Sequence, residues 1–529
     1  MKRIYQYGFG MLLGLISLSL LFQSCTKDFE EINTDPYGVT DEQMAADYKI
    51  VGEPFKQALQ NIYSYDPVWV FQLQQNLIGD VYSGYMMPPT PFRGNINNMT
   101  YFLVNGWNQF PWSVAYDKVM APMAAVDRKA GEEFKDFSAW AKIVRVEAMH
   151  RLSDIYGPII YSHYGKVNDD GSISYDCQAD VYDRFFKDLD TAVNVLSQYA
   201  NDGSVQRFAN FDLAYGGDYG MWVKFANSLR LRLAIRISEV DPARAQTEAE
   251  KAVSNPFGVL EENSDNFYVR SDAGLSHPLN TINNAWNDIR MNANMESILK
   301  GYNDPRMEKY FQPATGEGYA GDYKGIREGI VIESKDEYVN FSKLVDFGDV
   351  QLMTCAEIYF LRAEGALRGW NMGGTAKEFY EMGVTKSFEQ HGCGGVDAYL
   401  ADGTSQPIDY TDPVHPDNSI AAVETATIKW DDGADFETKL DKIITQKWIA
   451  MYPDGQEAWS EFRRTGYPKQ FPLIVNNSGG TIPEGTFIKR INFVEPEYQT
   501  NPKGVEEALK CLKGPDTGGT PLWWDVRGN

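Results

Sequence analysis

Ala139-Trp-Ala-Lys-Ile-Val-Arg-Val-Glu-Ala-Met-His-Arg-Leu-Ser-Asp-Ile-Tyr-Gly-Pro158 is the stretch on which the fold class turns. Trp140, Val144, Ala148, Leu152 and Ile155 recur at spacings of four and three, so they share one face of a helix over 139–156. Gly157 and Pro158 end it, because glycine accepts the left-handed turn after a helix and proline cannot continue the hydrogen-bond ladder. The pattern returns along the chain. Residues 181–199 carry Phe185, Leu189, Ala192 and Leu196, and residues 221–237 carry Trp222, Phe225, Leu229 and Leu233. Residues 353–369 carry Ala356, Tyr359, Phe360, Ala363 and Leu367, and 376–387 follow the Gly373-Gly374 turn as a hairpin partner. The last strong pattern, 440–452, is stopped by Pro453 and Gly455. Nearer the amino terminus, Thr40 with Gln43 has capping-box spacing, and helical patterns cover 53–63 and 68–80.

Successive helix pairs of this kind resemble tetratricopeptide stacking, although no strict repeat is visible. Between them lie segments that a solenoid does not need: 79–106, 263–286, 312–335, 392–430 and 476–519. Loops longer than about 15 residues are usually functional or disordered, and these are rich in aromatics, unlike disordered tails. The expected fold is mainly α: a tetratricopeptide-like helix-pair solenoid, with long loops and a few short strands, such as 329–332, packed on one side.

The formal net charge of -24 argues against nucleic acid and against electrostatic docking on anionic lipid. It favours neutral or cationic ligands only weakly, since solubility alone explains an acidic surface. Cys177, Cys355, Cys393 and Cys511 contain no Cys-x-x-Cys pair, which excludes a zinc ribbon or thioredoxin motif. One or two disulfides are allowed and their pairing is open; Cys355, inside a helical pattern, reads as a buried thiol. Twelve Trp, 31 Tyr and 28 Phe must fill a large core or line a site.

At the start, Lys2 and Arg3 precede an uncharged, leucine-rich run over 9–22 that ends in Ser24-Cys25. The run is a secretion signal in form, shorter than the roughly 20 residues of a spanning helix. Ser24-Cys25 resembles the lipobox of bacterial lipoproteins, which implies lipidation of Cys25; the alternative is an ordinary signal peptide with an incidental cysteine. Lys27, Asp28, Glu30 and Glu31 resemble the surface-export signals of Bacteroidetes lipoproteins. The expected organisation is a signal peptide over 1–24, a lipidated tether over 25–40 containing the turn-forming Asn-Thr-Asp-Pro-Tyr-Gly of 33–38, and one ligand-binding domain over 41–529.

Seven motifs then occur in order: Phe29-Glu-Glu-Ile-Asn-Thr-Asp-Pro36, Val146-Glu-Ala-Met-His-Arg-Leu-Ser-Asp-Ile-Tyr-Gly157, Trp222-Val-Lys-Phe-Ala-Asn-Ser-Leu-Arg-Leu-Arg232, Asp304-Pro-Arg306, Ala356-Glu-Ile-Tyr-Phe-Leu-Arg-Ala-Glu364, Gln456-Glu-Ala-Trp-Ser-Glu-Phe-Arg-Arg-Thr-Gly-Tyr-Pro468 and Pro521-Leu-Trp-Trp-Asp525. Together they resemble the SusD/RagB family of outer-membrane nutrient-binding lipoproteins. The resemblance implies a tetratricopeptide-like scaffold on the extracellular face of the outer membrane. It also implies a SusC-like TonB-dependent transporter as partner, with glycans or peptides captured by the loops and passed inward.

Most motif residues read as scaffold: Trp448, Trp459, Arg463 and Arg464 fit a helix and turn, and Glu147, Glu357 and Glu364 sit on helices as exposed or paired charges. Ligand contacts are sought instead among the loop aromatics, because sugar rings lay apolar CH faces on Trp or Tyr while Asn, Asp and Arg bond the hydroxyls. The candidates are Asp80, Tyr82, Tyr85 and Arg93, with Phe92 and Asn95, in the first loop; Asn283, Trp286 and Asn287, with Asn284, in the second; and Tyr319 and Tyr323 in the third. Each is as readily a packing residue. Trp107, Trp112 and Tyr116 read as core.

No cofactor or metal is expected. Asn168-Asp-Asp-Gly-Ser172 is better explained by an Asx turn than by a calcium loop, and Asp431, Asp432 and Asp435 are the one further calcium candidate. The five histidines, 150, 163, 277, 391 and 415, are scattered and no hydrolase, Walker or dinucleotide motif is present. An enzyme reading survives only as a glycosidase with two carboxylates drawn from 73 acids, and a purely structural scaffold is the third class.

Overall fold

A computed structural model describes residues 47–203 and 206–527, and structural statements below concern these residues. The signal segment, Cys25, the tether, the first motif and the capping box at Thr40 lie outside them. From Val51 onward the described residues form one compact unit.

The helices used below are α1 (Lys49–Ile62), α2 (Ala121–Ala130), α3 (Lys135–Tyr156), α4 (Gln178–Asp202), α5 (Tyr219–Arg236), α6 (Pro242–Val253), α7 (Cys355–Leu367), α8 (Ala376–Gln390), α9 (Phe436–Met451) and α10 (Gly455–Thr465). Their starts follow from capping chemistry. Asp218, Asp241, Thr354, Thr375, Asp435 and Asp454 each accept a first-turn backbone N–H of α5 to α10 in turn. Thr375 and Glu378 complete a reciprocal capping box. The helices pack as pairs, α3 with α4, α5 with α6, α7 with α8 and α9 with α10, while α7 also lies on α5 and on α9, and α10 on α3. The chain is thus a mainly helical solenoid of helix pairs, as its periodicity predicts.

Two short ribbons stitch the loops to this scaffold. β1 (Met86–Met87) pairs antiparallel with β3 (Arg290–Met291), and β2 (Phe267–Val269) with β4 (Val350–Met353). The strand expected over 329–332 does not form. Gly329 takes a φ of +74° and its carbonyl accepts from Val475 N–H at 2.9 Å, so the segment turns instead of extending. A disulfide joins Cys177, the cap of α4, to Cys511 at the end of helix Pro502–Lys510. Cys355 is a buried thiol and Cys393 is also free.

α10 was hidden in the sequence because its inward face is ionic. Glu457, Glu461 and Arg464 are all buried there. The helix over 68–80 departs from prediction in geometry: Val68–Phe71 is α-helical but Gln72–Asp80 widens into a π-helix. That stretch crosses α10 backbone to backbone. A Cβ on Gly455 would lie 2.5 Å from the Asp80 Cα, and one on Gly79 would lie 2.8 Å from the Gln456 N, so only glycine fits at either position.

The core contains five fully buried tryptophans, 140, 222, 448, 459 and 524, but at its centre it is charged. Arg151 on α3 donates to Glu147 at 2.9 Å and, through both terminal nitrogens, to Asp454 at 2.9 and 3.0 Å. Arg232 on α5 holds Glu357 of α7 in two bonds of 2.7 and 2.8 Å. The Leu352 carbonyl on β4 accepts from both arginines. Arg236 reaches Glu457 and Glu461 of α10, with Asp154 of α3 at 3.3 Å. Arg464 grips Glu364 of α7 at 2.6 and 2.7 Å and Glu461 at 2.7 Å.

Removing one member leaves an opposite charge buried and unpaired, which costs about 3–5 kcal/mol, whereas an exposed pair contributes at most about 1 kcal/mol. Arg151→Met should therefore lower the unfolding free energy by about 3–5 kcal/mol. Lys503→Met, which breaks the exposed pair with Asp170, should cost under about 1 kcal/mol. Equal losses in denaturant titrations would show that the buried network does not support the fold.

Candidate functional site

The β1–β3 ribbon sets the first two candidate loops side by side, with Met86 opposite Met291 and Met87 opposite Arg290. Beyond it, Thr90 Oγ1 donates to Asp288 Oδ1 at 2.5 Å, and Lys335 Nζ donates to the same oxygen at 2.6 Å and to the Trp286 carbonyl at 2.7 Å. Asn95 exchanges two bonds with the backbone of Ile332, at 2.9 and 3.1 Å. Segments 88–97, 283–290 and 331–335 consequently form one surface.

Its turn tips are strained. Arg93, Gly94 and Asn95 have φ of 53°, 63° and 66° in succession, and Asn287 has φ 53°. Left-handed conformations cost arginine most, since its Cβ crowds the following carbonyl, and such strain persists only where surrounding bonds over-determine it. Here Asn97 Nδ2 donates to Phe92 O at 2.6 Å and Thr100 Oγ1 to Asn95 O at 2.6 Å. The result is an exposed Arg93 with no ion-pair partner among the described residues. Trp286 is half-buried, and Phe92 packs edge-on to the half-buried Trp107 at 5.8 Å. Ile96 and Val331, beside the Asn95–Ile332 bonds, are about half exposed, at 49% and 52%.

The surface-forming candidates are thus Arg93, Trp286 and Asn287; Asn287 Oδ1 accepts from Arg290 at 3.1 Å, which fixes its amide. Tyr319 and Tyr323 are half-buried in the third loop, where the Tyr319 ring packs against Phe341 at 5.2 Å. The other four, Asp80, Tyr82, Tyr85 and Asn283, are buried. Asp80 is buried under Gly455, accepts from Gln75 at 2.8 Å and Asn76 at 3.1 Å, and is pushed up to about 7 by burial. Tyr82 donates to the Asn98 carbonyl and packs on Trp459 at 5.1 Å. Tyr85 donates to the Trp448 carbonyl, and Asn283 exchanges two bonds with the backbone of Leu344. Tyr82, Tyr85 and Asn283 spend their polar atoms on the main chain and Asp80 on side-chain amides, roles that residue identity alone does not distinguish from ligand contact. Of the residues read as core, Trp112 and Tyr116 are buried and Trp107 is half-buried.

Thr90, Asp288 and Lys335 were not singled out from the sequence. Asp288 directly follows Asn287 and Lys335 closes the third long loop, so adjacency was the only available signal. Among the described residues no group of three or more His, Cys, Asp or Glu is assembled to hold a metal ion. Asp170 caps its own turn through Ser172 N–H at 3.0 Å, and Asp431 and Asp435 likewise accept from the nearby Gly433 and Thr438 backbone.

The helix pairs define a helical-repeat scaffold whose loop surface presents a half-buried tryptophan, an amide and a cation without an ion-pair partner among the described residues. The profile of the SusD-like family, described as SusD and RagB outer membrane lipoprotein, matches residues 31–525, and the chain belongs to that family. Among solved structures, a chitin-binding SusD homolog from Flavobacterium johnsoniae is 48% identical, with TM-score 0.88 over 90% of this chain and 99% of that one. SusD homologs from Bacteroides vulgatus and Bacteroides thetaiotaomicron are 36% and 37% identical, with TM-scores of 0.86 and 0.84, over 92% and 90% of this chain and 99% of each of theirs. No curated relative is matched. No helix among the described residues is long and apolar enough to cross a membrane.

Glu328, close to Tyr82 and Tyr101, is buried with one carboxylate oxygen unpartnered, and burial pushes its carboxyl up to about 8. Because its folded value lies above the unfolded one of about 4.3, the neutral acid's contribution is complete below pH 4.3 and is lost as pH rises through 8. Glu328→Gln should therefore match the wild type in melting temperature near pH 4, gain on it steadily between pH 5 and 8, and hold a constant lead above that. A pH-independent difference would exclude the buried-acid account.

Proposed function

We propose that this chain is a non-catalytic capture lipoprotein, anchored through Cys25 on the extracellular face of the outer membrane. It binds oligosaccharides on the Arg93–Trp286–Asn287 surface and passes them to a SusC-like TonB-dependent transporter. The observation that carries the reading is Trp286. It is half-buried, has no aromatic partner among the described residues, and has its backbone pinned by Lys335, so its ring is held ready for the apolar face of a sugar. Asn287 and Arg93 supply hydrogen bonds beside it. The chitin-binding relative supports a glycan over a peptide.

Calorimetric titration of the soluble chain with chitin oligosaccharides should give saturable binding without product release. Trp286→Ala should weaken it by about tenfold or more, the scale of a buried aromatic hot spot. Binding of oligopeptides with no glycan affinity, or hydrolysis of the bound glycan, would replace this reading. Cys25→Ala should leave affinity in solution intact and abolish uptake in cells; loss of affinity itself would contradict an anchoring role.

A further inference from the structure

Arg290, at the start of β3, differs from the arginines of the central network. It is fully buried, yet among the described residues it bonds no carboxylate. Nε and Nη2 donate to the Val339 carbonyl at 2.8 and 2.6 Å, Nη1 to the Ile289 carbonyl at 2.5 Å, and Nη2 also to Asn287 Oδ1 at 3.1 Å. Burial pushes its pKa down to about 10; the Asp288 charge opposes this from beyond bonding distance, with Oδ1 already taken by Thr90 and Lys335. A buried cation without a bonded counter-ion is costly, so the residue placed against it matters.

Position 287 is where a counter-ion would fit. Aspartate accepts a left-handed turn as asparagine does, would take the same bond from Arg290 and would neutralise it. The chain has asparagine there, and what asparagine adds is an amide donor. Arginine only donates, so the Asn287 atom facing it is the oxygen, and Nδ2 is turned away. Nδ2 has no partner among the described residues and is not enclosed, and the same holds for the indole Nε1 of Trp286 beside it. With the exposed Arg93, the free polar side-chain atoms of these three residues are therefore all donors. Such a set best matches an oxygen that only accepts. A hydroxyl brings a proton of its own, whereas the carbonyl of an acetamido group does not.

We propose that Arg290 is a positioning residue and Asn287 a specificity-determining one. Arg290 fixes the Asn287 amide with its donors outward, and those donors select a sugar that carries an acetamido carbonyl over one with a hydroxyl at the same carbon. The selection rests on the loop surface binding a glycan, and adds which group of the sugar is read and by which atom.

The test titrates the soluble chain calorimetrically with N-acetylchitopentaose and with cellopentaose, alongside melting temperatures. The two sugars share their linkage and differ in carrying an acetamido or a hydroxyl group on the second carbon of each unit. The wild type should bind the acetylated chain about tenfold or more tightly than the other. Asn287→Asp should keep or raise the melting temperature, because the carboxylate pairs with Arg290. It should also cut the preference by about tenfold or more, since a carboxylate repels the carbonyl oxygen and accepts from the hydroxyl. Arg290→Lys, which cannot hold three acceptors in one fixed fork, should reduce the preference roughly three- to tenfold, the scale of one hydrogen bond. Loss of stability in Asn287→Asp, or an unchanged preference in it, would overturn the proposal. A wild type that binds both sugars equally overturns it as well and leaves the loop-surface reading standing. A wild type that binds neither overturns the loop-surface reading, and the selection with it.

Discussion

Desolvated arginine–carboxylate bonding ties the helix pairs of this protein together. Arg151, Arg232, Arg236 and Arg464 face Glu147, Asp154, Glu357, Glu364, Asp454, Glu457 and Glu461, every one of them buried. Members come from α3, α5, α7 and α10, so no pair of helices can separate without exposing charge from a third. Taking ions out of water costs several kcal/mol each, and only bidentate geometry with the remaining positions satisfied recovers it. That requirement is directional, unlike hydrophobic burial, and so it fixes the register of the helices as well as their proximity. The Arg151 guanidinium on α3 holds the Asp454 carboxyl below the usual carboxylate range against its burial, and Asp454 in turn caps α10.

Most members of this network, Arg236 and Asp454 excepted, lie in the family motifs. Glu147, Arg151 and Asp154 lie in one, Arg232 in the next, Glu357 and Glu364 in another, and Glu457, Glu461 and Arg464 in the sixth. Asp304-Pro-Arg306 forms its own version: Arg306 folds back on Asp304 at 2.6 and 2.9 Å while bonding Ser387 of α8 and Gln446 of α9. The final motif closes the assembly, with Trp524 Nε1 donating to Asp154 at 2.8 Å. Residues that identify the family therefore carry the scaffold.

This division sets what could be read from the sequence. Helices with an apolar face, α3, α4, α5, α7, α8 and α9, were legible because period 3.6 is a local signal. α10 was not, since its buried face is charged and its partners lie up to 225 residues away. The candidate site was legible as a neighbourhood, the loops, and only partly as residues. Asp80, Tyr82, Tyr85 and Asn283 have the chemistry of ligand contacts and spend it on main-chain and side-chain partners that only the tertiary structure reveals. The Cys177–Cys511 link, across 334 residues, is likewise a fact of packing that four unspaced cysteines do not encode.

The aromatic surplus resolves on the same principle. Trp140, Trp222, Trp448, Trp459 and Trp524 are fully enclosed, and Trp112, Trp370 and Trp430 nearly so. Of those left at the surface, Trp69 packs edge-on to Phe110, Trp107 to Phe92, and Trp523 lies 5.9 Å from Tyr182. Trp286 alone among the surface tryptophans has no ring partner within the described residues, while its carbonyl is fixed by Lys335 and its neighbour Asn287 is held in a left-handed turn. Its half-buried ring is thus a large apolar face at the surface that no other aromatic covers among the described residues, the feature on which the proposed stacking against a sugar relies.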